Sequence, residues 1–189
     1  MTQEFESTPA VVHQVRRLQV DVVGVPYEDF RERYEAAVPA LDEPRFEELK
    51  GSNADWDTVL TATAENSPHD FIIYWRNDVT AMMSLAGNEA RCTQYLMGNH
   101  GMAERMYRYD AAVMLYAPLR TTLVGDPDGA VRFCVDQPST QFSSFGDSRI
   151  ARVGAELDEE LARLLESLEV GVPAALAMTG DGEFPTSMG

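Results

Sequence analysis

The feature that most constrains the fold is a pair of β-type segments closed by one turn. Val113 to Val124 and Ala130 to Val135 flank Asp126-Pro127-Asp128-Gly129. Proline presets one backbone angle of a tight reversal, and glycine adopts the positive φ that such a turn requires. The spacing predicts an antiparallel hairpin. A lone hairpin is marginal in water, so the chain must supply further strands and an apolar cover.

Both are legible. Leu18, Val20 and Val22 alternate with Arg17, Gln19 and Asp21, a half-buried strand pattern within Val12 to Val23. Arg91 to Met97 alternates in the same way, and Phe71-Ile72-Ile73-Tyr74-Trp75 is a continuous apolar run that reads as a buried strand. Tyr27, Phe30, Tyr34 and Val38 recur at helical spacing behind Pro26, a residue suited to a first helical turn. Short helices are predicted from Pro44 to Lys50 and from Asp55 to Glu65, the latter with Trp56, Val59 and Leu60 on one side. Asn99 is a ready N-cap for a helix to Tyr107. Leu157, Leu161, Leu164, Leu165 and Leu168 mark the clearest amphipathic helix, while Val79 to Leu85 fits strand and buried helix equally.

Strands and helices do not alternate regularly. The expected class is α+β: a small antiparallel or mixed sheet of about four to five strands with helices packed on one face, a two-layer sandwich. Residues 1–10 read as a flexible N-terminus, 11–170 as a single domain, and 171–189, rich in Gly, Pro, Ser and Thr, as a flexible tail.

Composition removes several classes of function. A net charge of −16 opposes binding to nucleic acid or to anionic membrane surfaces. No apolar run has membrane-spanning length, and the N-terminal region, with Glu4 and Glu6, lacks the pattern of a signal peptide, so a cytoplasmic protein is expected. Cys92 and Cys134 have no disulfide-framework or CxxC spacing and read as buried thiols. Gly125 to Gly129 carries aspartates that would repel a phosphate, and no GxSxG, Walker or GxGxxG motif occurs.

The stretch from Gln94 to Ser139 resembles the domain-of-unknown-function family 302. The resemblance rests on a tyrosine-containing strand ending in Gly98-Asn99, on Pro118-Leu119-Arg120, and on the aspartate-proline step of the turn. It is clearest from Tyr95 to Ser139 and extends more weakly back to Val11. It implies a small sheet protein that pairs, hence a homodimer, and it carries no catalytic set. Where the family pattern has proline after Gly-Asn, this chain has His100.

His100 is accordingly the first candidate. At a helix start the dipole favours the neutral imidazole, which can act as a general base or as an axial haem ligand. The plainer reading is an exposed turn histidine. Tyr95 and Tyr116 are the candidate proton-transfer partners. Arg120 is the candidate anchor for an anionic handle, with a plain ion pair to Asp136 as the alternative. Trp75, Asn99 and Met97 complete the expected binding set. With Tyr74, Tyr95, Met82, Met83, Met102, Met106 and Met114, they give the mid-chain a soft apolar character that suits either a ligand or a core.

No metal site is expected, because the three histidines lack ligand spacing. The functional expectation is a small-molecule-handling protein: a cofactor-independent enzyme of isomerase, cyclase or lyase type acting on a mostly apolar organic ligand by acid/base chemistry. The alternatives are a non-catalytic binding protein, haem being the cofactor to test, and a purely structural dimer.

Overall fold

The computed structural model describes residues 12–177. The two terminal segments expected to be flexible lie outside it, apart from residues 171–177. Five strands form one sheet in the order β1-β5-β4-β3-β2 with every neighbouring pair antiparallel. In chain order the elements are β1 (Arg17–Val22), α1 (Tyr27–Ala37), α2 (Glu43–Gly51), α3 (Trp56–Asn66), β2 (Ile72–Asp78), α4 (Thr80–Ser84) and β3 (Arg91–Gly98). There follow α5 (His100–Tyr107), a 3-10 turn (Ala111–Leu115), β4 (Leu119–Gly125), β5 (Val131–Asp136), α6 (Pro138–Phe142), a second 3-10 turn, α7 (Ser148–Ser167) and α8 (Ala174–Ala177). The class is α+β, as the patterning requires.

Period-two burial puts Leu18, Val20 and Val22 of β1 on the same covered face as Val131, Phe133 and Val135 of β5. Phe30 and Tyr34 from α1 enter this layer. The Tyr34 hydroxyl reaches Thr121 at 3.1 Å and Met97 Sδ at 3.1 Å, and its ring meets those of Tyr95 and Phe133. The leucines of α7 join the same core. On the opposite face Cys92 and Cys134 are half-buried free thiols rather than core residues.

Four sequence expectations are changed or resolved. The segment from Val113 to Pro118 is not strand: Ala111–Leu115 turns as a 3-10 helix capped by Asp110, and β4 begins only at Leu119. Proline at 118 withholds the backbone donor a ladder needs. Val79 to Leu85 resolves as α4, whose Met82 and Met83 are exposed. Residues 174–177 of the expected tail are packed instead: α8 lies on α7, Leu176 is buried, and the Ala175 carbonyl accepts from Gln137 Nε2 at 3.0 Å. In α3 the buried residues are Ala62 and Thr63, whereas Trp56 and Leu60 are partly exposed.

The junction of α6 with α7 positions the site described below. Asp158 is fully buried on α7 and accepts hydrogen bonds from Gln137 Nε2 (2.7 Å), Ser139 N (2.9 Å) and Ser139 Oγ (2.6 Å). Burial raises its carboxyl above the usual range by more than these bonds lower it. Gly154 lets the two helices touch. A Cβ there would stand 2.8 Å from Phe142 Cβ and 3.3 Å from the Pro138 carbonyl oxygen. Gly154→Ala gains helix propensity of at most about 1 kcal/mol, against overpacking of about 1–3 kcal/mol. A net loss of about 1–2 kcal/mol is expected as a lower urea midpoint at unchanged m-value.

Candidate functional site

The sheet is not completely covered. Where β3 ends at Gly98 and β4 begins at Leu119, a cavity of about 310 Å³ opens between the strand ends, α5 and the α6–α7 junction. Met106, Leu119, Phe142 and Leu157, all buried, form its apolar walls, and Met114 stands half-exposed beside them. Among the lining residues there is no Asp, Glu, Lys or Arg. The polar side chains are Tyr74, Asn99 and His100.

Each of the three is placed by a local feature. Asn99 caps α5, its Oδ1 accepting from Gly101 N (2.8 Å) and Met102 N (3.3 Å) while Nδ2 donates to the Asp70 carbonyl (3.0 Å). His100 is therefore the first residue of α5. Tyr74 arrives through a bulge in β2: Ile73 pairs with Met97 and Trp75 with Leu96, leaving Tyr74 as the extra residue. A bulge breaks the two-residue alternation and re-aims a side chain. Tyr74 consequently lines the cavity, while Trp75 is 47% exposed.

His100 Nδ1 lies 3.1 Å from Tyr74 Oη and 3.3 Å from Thr63 Oγ1. Phe46 stacks on the imidazole at 4.6 Å between centroids, and the Tyr74 ring meets it edge-on at 5.2 Å. The Thr63 hydroxyl already donates to the Val59 carbonyl at 2.8 Å, so towards His100 it acts as an acceptor. The tautomer that uses Thr63 as acceptor carries its proton on Nδ1 and keeps a lone pair on Nε2. It also leaves the Tyr74 hydroxyl proton free to donate. Burial, with a smaller push from Lys50, lowers the His100 pKa below 6.5. Burial raises the Tyr74 phenol. At neutral pH both are uncharged, one a base and the other a donor.

The remaining candidates stand elsewhere. Tyr95 is fully buried beneath the sheet and donates to Glu35 Oε1 at 2.8 Å, with burial and then Glu35 raising its pKa. Met97 is buried against Tyr34. Tyr116 packs edge-on against Phe142 and Phe145 and does not line the cavity, although its neighbours Ala117 and Pro118 do. Arg120 is exposed and pairs with Asp136 at 3.2 Å, so the plain ion pair is what forms. His100 and Arg120 do not share a pocket. Residues missed from sequence are Thr63, Phe46, Phe142 and Leu157, whose helical or core patterns carry no functional signal. Tyr74 stood in the aromatic run and was displaced there by Trp75 because a bulge leaves no mark on composition. No group of three or more His, Cys, Asp or Glu side chains able to hold a metal exists among the described residues, and no described helix is long and apolar enough to cross a membrane.

One turn along α7 from Leu157, Glu160 has a sealed Oε2 without a hydrogen-bond partner. Burial, reinforced by Asp70, pushes its carboxyl up to about 7.

A family model described as domain of unknown function DUF302 matches residues 50–168, which include Tyr74, Asn99 and His100. No curated protein matches the sequence. The crystal structure of an uncharacterized conserved DUF302 protein from Bacillus stearothermophilus superposes with a TM-score of 0.57 at 16% identity, covering 80% of this chain and 97% of that one. At that identity the likeness is one of fold.

Two titrations follow from the electrostatics. His100 should titrate below 6.5 by NMR, and Lys50→Ala should move the midpoint upwards. With the folded value depressed, this group's contribution to stability is present above 6.5 and lost as pH falls through the folded pKa. Glu160 has the opposite sign: its contribution is present below 4.5 and lost as pH rises through about 7. Glu160→Gln should therefore raise Tm above neutral pH, by progressively less as pH falls from about 7, and change it little below 4.5.

Proposed function

Because the chain belongs to the DUF302 family, whose description names no reaction, we propose its function from the cavity. We infer that it handles a small, neutral, mostly apolar molecule, and that it acts as a cofactor-independent acid/base enzyme of isomerase, cyclase or lyase type. The observation that carries this reading is the pairing of an uncharged imidazole with a phenol hydroxyl in the wall of an otherwise apolar cavity.

A carbonyl-bearing ligand suits the pair. His100 Nε2 takes a proton from the carbon beside the carbonyl, and the Tyr74 hydroxyl donates to the oxygen on which negative charge develops. Thr63 holds Nδ1–H and so keeps Nε2 basic. Phe46 limits rotation of the ring by stacking. Return of the proton to a different carbon isomerises the substrate, and loss of a leaving group from the same enolate is elimination. With no cation in the lining, an anionic handle has no partner here, so Arg120 takes no part. A volume of about 310 Å³ lies at the small end of ligand pockets and favours a molecule smaller than haem.

The test is exchange of the α-protons of cyclohexanone in D2O, followed by NMR. The protein should accelerate it above the buffer rate, with activity falling as pH drops and His100 is protonated. Tyr74→Phe should lower the rate by about 10²-fold and His100→Ala by about 10²–10⁴-fold. Arg120→Ala should leave it unchanged. A rate equal to buffer at every pH, with cyclohexanone shown to bind, would assign the cavity to non-catalytic binding.

A further inference from the structure

Away from the apolar cavity, a second depression of about 180 Å³ is lined by Arg105, Arg108, Tyr109, Arg149, Arg152 and Val153. Four of the fourteen arginines thus face one small volume in a chain whose acidic residues outnumber Lys and Arg by 31 to 15. Like charges gathered this closely repel unless something of opposite sign holds them.

Three of the guanidinium groups are held from outside the lining. Arg105 donates to Glu156 at 2.7 Å, Arg108 donates to Glu104, and Arg149 donates to Asp147 through Nε at 3.0 Å and Nη2 at 2.6 Å. Arg149 also lies 3.8 Å over the Tyr109 ring. None of these carboxylates lines the depression. Each guanidinium has five N–H donors, and the observed bonds use only some of them, so the others are presented from fixed side chains. Arg152 is exposed and has no carboxylate within ion-pair distance among the described residues; it acts on Glu156, which already holds Arg105, only at longer range.

Ordinary surface ion pairing accounts for the three held arginines, at a worth of about 0–1 kcal/mol each. It does not account for Arg152, nor for a lining that carries cations while their counterions stay outside it. We propose that this depression binds a small polyvalent oxyanion, the phosphoryl or carboxylate end of a metabolite. Fork-shaped donors match paired oxygens, and the small volume limits what enters to the anionic end. The two cavities share no lining residue, so the anion site stands whether or not the His100 cavity is catalytic.

Isothermal titration of the full chain with inorganic phosphate, and separately with succinate, at one fixed ionic strength tests this. Saturable binding of at least one ion is expected. Arg152→Ala or Arg108→Ala should weaken it about tenfold, the loss of one charge-assisted hydrogen bond. Arg152→Lys should fall between, keeping charge without the fork, and Arg120→Ala should bind as the parent does. Tighter binding of phosphate would identify a phosphoryl ligand, and tighter binding of succinate a carboxylate. Absence of saturable heat with both ions, or parental binding by both alanine variants, would overturn the proposal.

Discussion

An antiparallel sheet with apolar residues at every second position is stable in water only when that face is covered, and here the cover is assembled from separate pieces. Tyr34 of α1 is central to it. Its ring packs between Tyr95 and Phe133, while its hydroxyl, which would be costly to bury unpaired, reaches Thr121 and Met97. The long α7 completes the core and is tied to the sheet's last strand through α6 by the buried Asp158. Removing that carboxylate's partners would leave a charge without solvent, so the sequence position of α6 is held by electrostatics as much as by packing.

The cavity follows from how this cover is divided. Helix α5 starts immediately beyond β3, and the 3-10 turn delays β4, so the ends of both strands lie open between helices that cannot fill the gap. What remains is lined by methionine, leucine and phenylalanine from five elements. An apolar space of this kind excludes charge, and the two titratable side chains that do enter it are held neutral by the same burial. The charged residues stay outside. In the arginine-lined depression the balance is reversed: cations face the open volume and their carboxylate partners lie outside the lining. One chain thereby presents two depressions of opposite lining.

Much of the architecture was legible. Alternation located β1 and β3, the Asp126–Gly129 turn located the β4–β5 hairpin, and leucine spacing located α7. Errors arose where periodicity is weak or locally broken. Ala111–Leu115 is apolar enough to look like strand, yet Asp110 caps it as a turn. Ala174–Ala177, in a segment of loop-like composition, docks because Leu176 finds a buried place on α7.

For the site, His100 and Asn99 could be named from the chain because a cap and a helix start are local signals. Its partner could not be. Tyr74 reaches the cavity through one extra residue in β2, a register property that exists only when β2 meets β3. Tyr95 and Met97 look like equal candidates in sequence and are buried by α1 instead. Local order of residues thus determined the strands, the helices and the imidazole at the start of α5, since each depends on neighbours a few residues away. Tertiary structure decided which side chains share a cavity and which charges are left facing outward, because both depend on contacts between residues far apart in the chain.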